Sequence, residues 1–223
     1  MQTPPKLTDR VALARNRAKA REFLLHKIAT EELNDRIGLV NREFTSVGLV
    51  TGFPNFWRGF APNARVEPDA EVLRLAEASH DLVVHALSLH WANDPVGQLI
   101  QSRRALKPDG LFLGILFGGQ TLSELRTALA MAESEVAGGL SPRVLPMADL
   151  RDVGALMQRA GFALPVADNF TLTLTYNTAF DLMRDLRKMG ESSALNDRPR
   201  KFTRRGVLSR AAEIYQDLFA TDG

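Results

Sequence analysis

The stretch His80–Gly114, HDLVVHALSLHWANDPVGQLIQSRRALKPDGLFLG, decides the fold. Leu82, Val83, Val84 and Ala86 follow Asp81 as a continuous apolar run. Alternating apolarity marks a strand with one wet face. Continuous apolarity marks a strand buried on both faces, as in a parallel sheet. Asn93 or Asp94 then caps a helix with Pro95 in its first turn and Gly110 just past its end. LFLGILFG (111–118) repeats the continuous pattern and reads as a second buried strand. Buried strands alternating with helices predict a three-layer α/β sandwich on a mostly parallel sheet.

Upstream, residues 7–40 read as two helices broken near residue 20. Thr8 is the expected cap after Pro4-Pro5, Gly38 the expected stop, and Phe23, Leu24, Ile28 and Leu33 form the apolar stripe. A short strand at 46–50 runs into Gly52, and 53–68 is irregular around Pro54, Gly59, Pro62 and Pro68. AEVLRLAEA (70–78) holds a helical turn by pattern.

Downstream, Thr121 and Glu124 have the spacing of a capping box on a helix that closes at Gly138-Gly139. Another helix starts near Met147. NFTLTLTYN (169–177) alternates Phe170, Leu172, Leu174 and Tyr176 with threonines, which predicts an antiparallel edge strand. Two more helices follow. The organisation expected is a helical extension, 1–40, and one domain, 41–223, with a shortened segment at 53–68.

The 223 residues carry a formal net charge of only +2, so nothing drives the chain toward nucleic acid. The absence of cysteine removes disulfides, thiolate metal sites and cysteine nucleophiles, and fits a reducing compartment. No apolar run approaches the roughly 18 residues of a membrane span. MQTPPKLTDR has no apolar core of a secretory signal. Lys6, Arg10, Arg15, Arg17, Lys19 and Arg21 face one acid, Asp9, in the first stretch. That run reads as a solvated helix face, with a transit peptide as the alternative.

Around these elements the chain resembles class I S-adenosylmethionine-dependent methyltransferases of the type 11 superfamily, through DLVVHALSLHW and LKPDGLFLG. SLHWANDP, FGGQTLSELR, GGLSPRV, RAGF and MGESSAL further resemble bacterial relatives of a mitochondrial complex I assembly factor that is an arginine hydroxylase. The resemblance covers roughly 7–40 and 66–223. It implies a Rossmann-like αβα sandwich and S-adenosylmethionine as cofactor, with no metal. It implies a protein substrate or assembly partner and a cytoplasmic setting in a bacterium, with the mitochondrial matrix as the alternative. The cofactor-binding residues it implies are Gly52, Asp69 (near the adenine), Ala86, Leu87, Ser88, His90 and Trp91. Gly118, Gly119, Thr121 and Glu191 would line a substrate pocket. It assigns no catalytic residue.

The first strand departs from the family. VGLVTGFP stands where the family has a form like LDLGCGTG. Gly48 replaces the acid, Val50 and Pro54 replace two glycines, and Gly52 alone remains. Glycines there allow positive φ and a close backbone approach to the ligand, valine does neither, and proline removes a donor. The segment to Asp69 is too short for an ordinary βαβ unit, which takes roughly 30 residues. Two functions follow: a donor-binding enzyme of this family, or a non-catalytic relative that keeps the fold and binds a partner.

His85 and His90 lack the helical spacing and accompanying acid of a zinc site. His90 and Trp91 read equally as pocket lining or packing. Gly118-Gly119 also reads as plain strand-to-helix punctuation, Glu124 as a capping acid and Glu191 as a helix-end acid.

Overall fold

The computed structural model describes residues 6–220, so Pro4-Pro5 lies outside the described residues. Four strands, β1 (Val47–Thr51), β2 (Arg65–Pro68), β3 (His80–Ala86) and β4 (Leu106–Ile115), form one sheet in the order β2-β1-β3-β4. Every pairing is parallel. The helices are α1 (Arg10–Arg17), α2 (Leu24–Gly38), α3 (Pro54–Trp57), α4 (Pro95–Ala105), α5 (Ser123–Ala137), α6 (Leu150–Arg159), α7 (Ala179–Met189) and α8 (Arg205–Phe219). This is the Rossmann-like parallel α/β architecture that His80–Gly114 predicts.

The chain divides into two compact units. One holds Phe23–Gly119 and Met147–Asn169, and therefore the whole sheet. The other holds Met1–Glu22, Gln120–Pro146 and Phe170–Gly223. The two N-terminal helices thus fall in different units, α1 in the second and α2 in the first.

β1 and β3 are buried along their full lengths. Each fully buried Leu or Val in them stabilises the fold by roughly 1.5–3 kcal/mol relative to exposure. A polar clamp fixes where β1 begins. The Asp81 carboxylate accepts from Thr45 N–H (3.0 Å), Thr45 Oγ1 (2.8 Å) and Ser46 N–H (2.9 Å). Burial pushes the Asp81 carboxyl up, but the hydrogen bonds from Ser46 and Thr45 outweigh it and hold it below its ordinary 3.8. Its contribution is therefore full above 3.8 and lost as pH falls through the lower folded value. Asp81→Asn should cost about 1.5 kcal/mol at neutral pH. It should also flatten the acid limb of unfolding free energy against pH. Denaturant titrations at several pH values measure both, and an unchanged acid limb would remove Asp81 from this role.

The second unit closes on its own apolar cluster. Leu125, Ala128, Leu129 and Ala132 of α5 pack with Leu182 of α7 and Val207, Ala211 and Ile214 of α8. No helix among the described residues is long and apolar enough to cross a membrane.

Several sequence expectations need correction. The antiparallel edge does not form: 169–176 has no strand structure, and Phe170, Leu172 and Leu174 are exposed. Alternation supplies a two-faced pattern, but a strand also needs a neighbour to satisfy its backbone groups. β4, expected to be buried, is an edge strand of the sheet and is only partly covered. Gly110 lies inside β4, because α4 already ends at Ala105. Asp9, not Thr8, caps α1, accepting from Val11 and Ala12 N–H. The Thr121–Glu124 capping box is absent. Leu122, in the left-handed region at φ +58°, stands at the N-cap, and Glu124 instead accepts from the Tyr215 hydroxyl (2.6 Å). Residues 70–78 hold no helical turn; the loop is tied to α4 by side chains. The segment 53–68, read as irregular, contains α3 and β2. A complete strand–helix–strand crossover thus fits inside Val47–Pro68, because its helix is a single turn.

Candidate functional site

All four strands end on one side: Thr51 pairs with Pro68 and Ala86, and Ala86 with Ile115. The chain crosses from β1 to β2 on one flank and then to β3 on the other. The carboxyl ends of β1 and β3 therefore border the topological switch point, where open α/β sheets bind ligands. The residues after each strand form the candidate crevice.

After β1 the chain closes on itself. Phe53 N–H donates to Thr51 Oγ1 (3.2 Å), and Pro54, the first residue of α3, has no N–H. Gly52 does not take a positive φ. The Phe53 ring packs edge-on against His26 (4.7 Å between centroids) and Phe23 (5.6 Å). Trp57 Nε1–H donates to His26 Nδ1 (3.0 Å), which makes Nδ1 an acceptor and the ring neutral. Aromatic rings of α2, α3 and the residues before them thus pack together at the turn after β1. Lower in β1, a Cβ on Gly48 would lie 3.3 Å from the His80 ring and from Leu75. The place of the missing acid is filled.

After β2 stands Asp69, 3% exposed, whose N–H donates to Thr51 O (3.1 Å). Glu67, inside β2, is paired with Arg65 (2.8 Å) and serves the strand.

After β3 the backbone is strained. Leu87 has φ +44°, a conformation that costs an ordinary side chain roughly 1–3 kcal/mol, and its N–H donates to Ile115 O (2.8 Å). A buried network spans this kink. Gln98 of α4 donates from Nε2 to Ala70 O (3.0 Å), which turns its Oε1 toward His85 Nε2 (2.8 Å). His85 Nε2 must then carry the proton, and Nδ1 accepts from Ser88 Oγ (3.3 Å). His85 is 0% exposed and Gln98 3%. Gln101 holds the same loop through Leu73 N–H (2.8 Å) and Glu71 O (3.0 Å).

The expected residues Gly52, Asp69, Ala86, Leu87 and Ser88 therefore lie at the carboxyl ends of adjacent strands. Trp91 is buried, and His90 packs on Phe117 (4.8 Å). Gly118 and Gly119 follow β4. Gly119 takes φ +56° and donates to Ala148 O (2.8 Å), and a Cβ on Gly118 would lie 3.1 Å from that oxygen. Thr121 and Glu191 belong to the other unit, where Glu191 N–H closes the end of α7 on Leu186 O (2.9 Å). No group of three or more His, Cys, Asp or Glu among the described residues could hold a metal. Sequence reading missed His85 as a structural hub, and with it Gln98. A histidine inside an apolar strand run was the available signal.

A parallel sheet with a crevice at its switch point is the open, doubly wound α/β class. The model of the methyltransferase domain matches residues 27–114. The Rickettsia prowazekii protein named "Putative methyltransferase RP459" is 32% identical over 163 residues, covering 71% of this chain and 71% of its own length. The chain belongs to the methyltransferase family. It is 40% identical over 161 residues to the mitochondrial arginine-hydroxylase NDUFAF5 of Rattus norvegicus, covering 72% of this chain and 47% of that protein. It is 36% identical over 191 residues to the malonyl-[acyl-carrier protein] O-methyltransferase of Methylovorus, covering 86% of this chain and 61% of that protein. The chain spans about half the length of the NDUFAF5 relatives it matches.

Proposed function

We propose that this chain uses the methyltransferase fold to bind a protein partner in an assembly role, and does not transfer methyl groups from S-adenosylmethionine. The turn after β1 carries the reading. The Phe53 amide is spent on Thr51, Pro54 offers none, and Phe53 is buried among Phe23 and His26. Residues Thr51–Pro54 thus do not fit the amino-acid half of the donor, which needs backbone amides held open by glycine. Losing preorganised donors weakens binding by several kcal/mol. The resemblance of SLHWANDP, FGGQTLSELR and MGESSAL to the complex I assembly-factor group supports a protein partner.

A donor-binding enzyme is the second reading. Asp69 favours it: an acid directly after the strand beside β1 stands where ribose hydroxyls are held in this fold class. That placement differs from the adenine-side role the resemblance implies. Isothermal calorimetry with S-adenosylmethionine and S-adenosylhomocysteine at millimolar concentration tests both. No saturable heat is expected. Saturable one-to-one binding that Asp69→Ala abolishes would overturn the first reading in favour of the second.

A further inference from the structure

The compact unit that lacks the sheet carries 17 Lys and Arg against 12 Asp and Glu, while the sheet unit carries 11 against 14. The excess concentrates in RPRKFTRR (198–205), which holds five cations and no acid. Its two ends are held firmly. Arg198 donates to Leu195 O (2.7 Å) and Asp9 Oδ2 (3.0 Å), and Arg200 to the same Asp9 oxygen (2.9 Å) and to Asn196 O (2.9 Å). Thr203 Oγ1 accepts from Arg143 (2.8 Å), itself paired with Glu133 (2.6 Å). Between these anchors Phe202 is 104% exposed. Lys201, Arg204 and Arg205 are exposed, and among the described residues none has an acidic partner.

Local energetics do not explain this arrangement. Arg204 and Arg205 stand at the N-terminus of α8, with no capping side chain and no acid in the first turn. The helix dipole disfavours cations there. A fully wet phenylalanine on a pinned loop gains nothing from folding. Both features cost the isolated chain and favour a complex. An exposed phenylalanine next to Lys201 and close in sequence to Arg204 and Arg205 combines residue types enriched at interfaces, and a loop already held in place spends little entropy on docking.

We infer that the loop Lys201–Arg205 is a docking site for an acidic polypeptide segment, with Phe202 seated on an apolar side chain of the partner and Lys201, Arg204 and Arg205 paired with its carboxylates. The chain supplies its own precedent: Arg198 and Arg200 of the same run already share the carboxylate of Asp9. Arginine forks suit carboxylates in this way. A single aromatic with three cations is a weaker fit to a lipid surface, where stable attachment takes two signals. The inference deepens the assembly role proposed above and rests on it for the identity of the partner as a protein.

The test uses the full chain and a fluorescein-labelled peptide built of repeated Glu-Glu-Leu triplets, read by fluorescence anisotropy. Saturable binding is expected. Phe202→Ala should weaken it about tenfold, the scale of one aromatic anchor. Lys201→Glu/Arg204→Glu/Arg205→Glu should abolish it. The matched triple Lys27→Glu/Arg58→Glu/Arg74→Glu, exposed cations of the sheet unit, should leave it unchanged. These side chains are exposed, so no variant should melt below the parent, and the two glutamates placed at the start of α8 should raise the melting temperature slightly. Equal loss in both triples, or no effect of Phe202→Ala, would overturn the inference. So would binding to vesicles of equal parts phosphatidylcholine and phosphatidylserine without binding to the peptide. If the donor binds by calorimetry while the peptide result holds, the non-transferring reading fails and the docking site stands.

Discussion

Trp57→Ala should lower the unfolding free energy by about 4 kcal/mol, the scale of removing a large aromatic from a core. Trp57 is 1% exposed, although it closes a helix of only four residues. Its ring meets Phe56 and Phe60, and its Nε1–H satisfies His26 Nδ1 at 3.0 Å. Truncation therefore opens a cavity and leaves a buried acceptor without its donor, and the two costs add. At roughly 2–4 °C per kcal/mol for a chain of this size, the melting temperature should fall by about 10 °C. Trp57→Phe separates the terms: it keeps most of the packing and loses only the hydrogen bond, about 1–2 kcal/mol. The chain has two tryptophans, so Trp91 becomes the sole indole reporter in either variant. A loss below about 1 kcal/mol in Trp57→Ala would show that α3 is a surface turn. The result also bears on function, because the same aromatic group closes the turn after β1. If the variant gained S-adenosylmethionine binding, Phe53 and Trp57 would be a removable plug over an intact donor site. No gain is expected, since Pro54 and Gly48 lie outside the reach of that change.

The parts of the fold legible in the sequence were those whose signal is local. β3 and α4 could be placed because a continuous apolar run and an Asp-Pro start need no information from elsewhere in the chain. β4 carries the same apolar run, yet lies at the sheet edge, since periodicity reports a strand and not how many neighbours it has. β2, RVEP, has no strand signal of its own. It exists because Gly48–Thr51 offer it a ladder, which is a tertiary fact. Residues 169–177 are the converse, a good pattern without a ladder. At the site, the missing glycines of 48–54 were visible as letters. What replaces them was not: His26 of α2 and Phe23 just before it reach the turn from some thirty residues away in sequence. His85 and Gln98 meet across thirteen residues. No spacing rule joins a strand position to a helix position in that way.

That buried pair is the firmest element of the crevice, and its removal should be felt in two observables at once. Gln98→Leu keeps the volume and removes both hydrogen-bonding ends. His85 Nε2–H and Ala70 O each lose a partner at 2.8 and 3.0 Å inside the core. Each orphaned buried group costs roughly 1–3 kcal/mol, so the variant should lose about 3 kcal/mol. Gln98→Glu tests the direction of the bonds. Its carboxylate can still accept from His85 but cannot donate to Ala70 O, and it buries a charge. With the carboxylate ionised, His85 takes a second proton, on Nδ1, and pairs with it. Ser88 Oγ would then have to turn from donor to acceptor. A protonated carboxyl would instead reproduce both Gln98 bonds and leave the ring neutral, which the ring spectrum distinguishes. Nitrogen-15 NMR of the histidine ring reads this without reference to stability: a neutral ring protonated on Nε2 in the parent, and a doubly protonated ring in Gln98→Glu. A parent ring protonated on Nδ1 would reverse the network and break its link to Ala70. Because Ser88 lies directly after the strained Leu87, loosening His85 should also release the kink that ends β3. Faster amide exchange at Leu87, whose N–H is held by Ile115 O at 2.8 Å, is the expected sign in Gln98→Leu. Unchanged exchange there would mean that β4, and not the histidine, holds the kink.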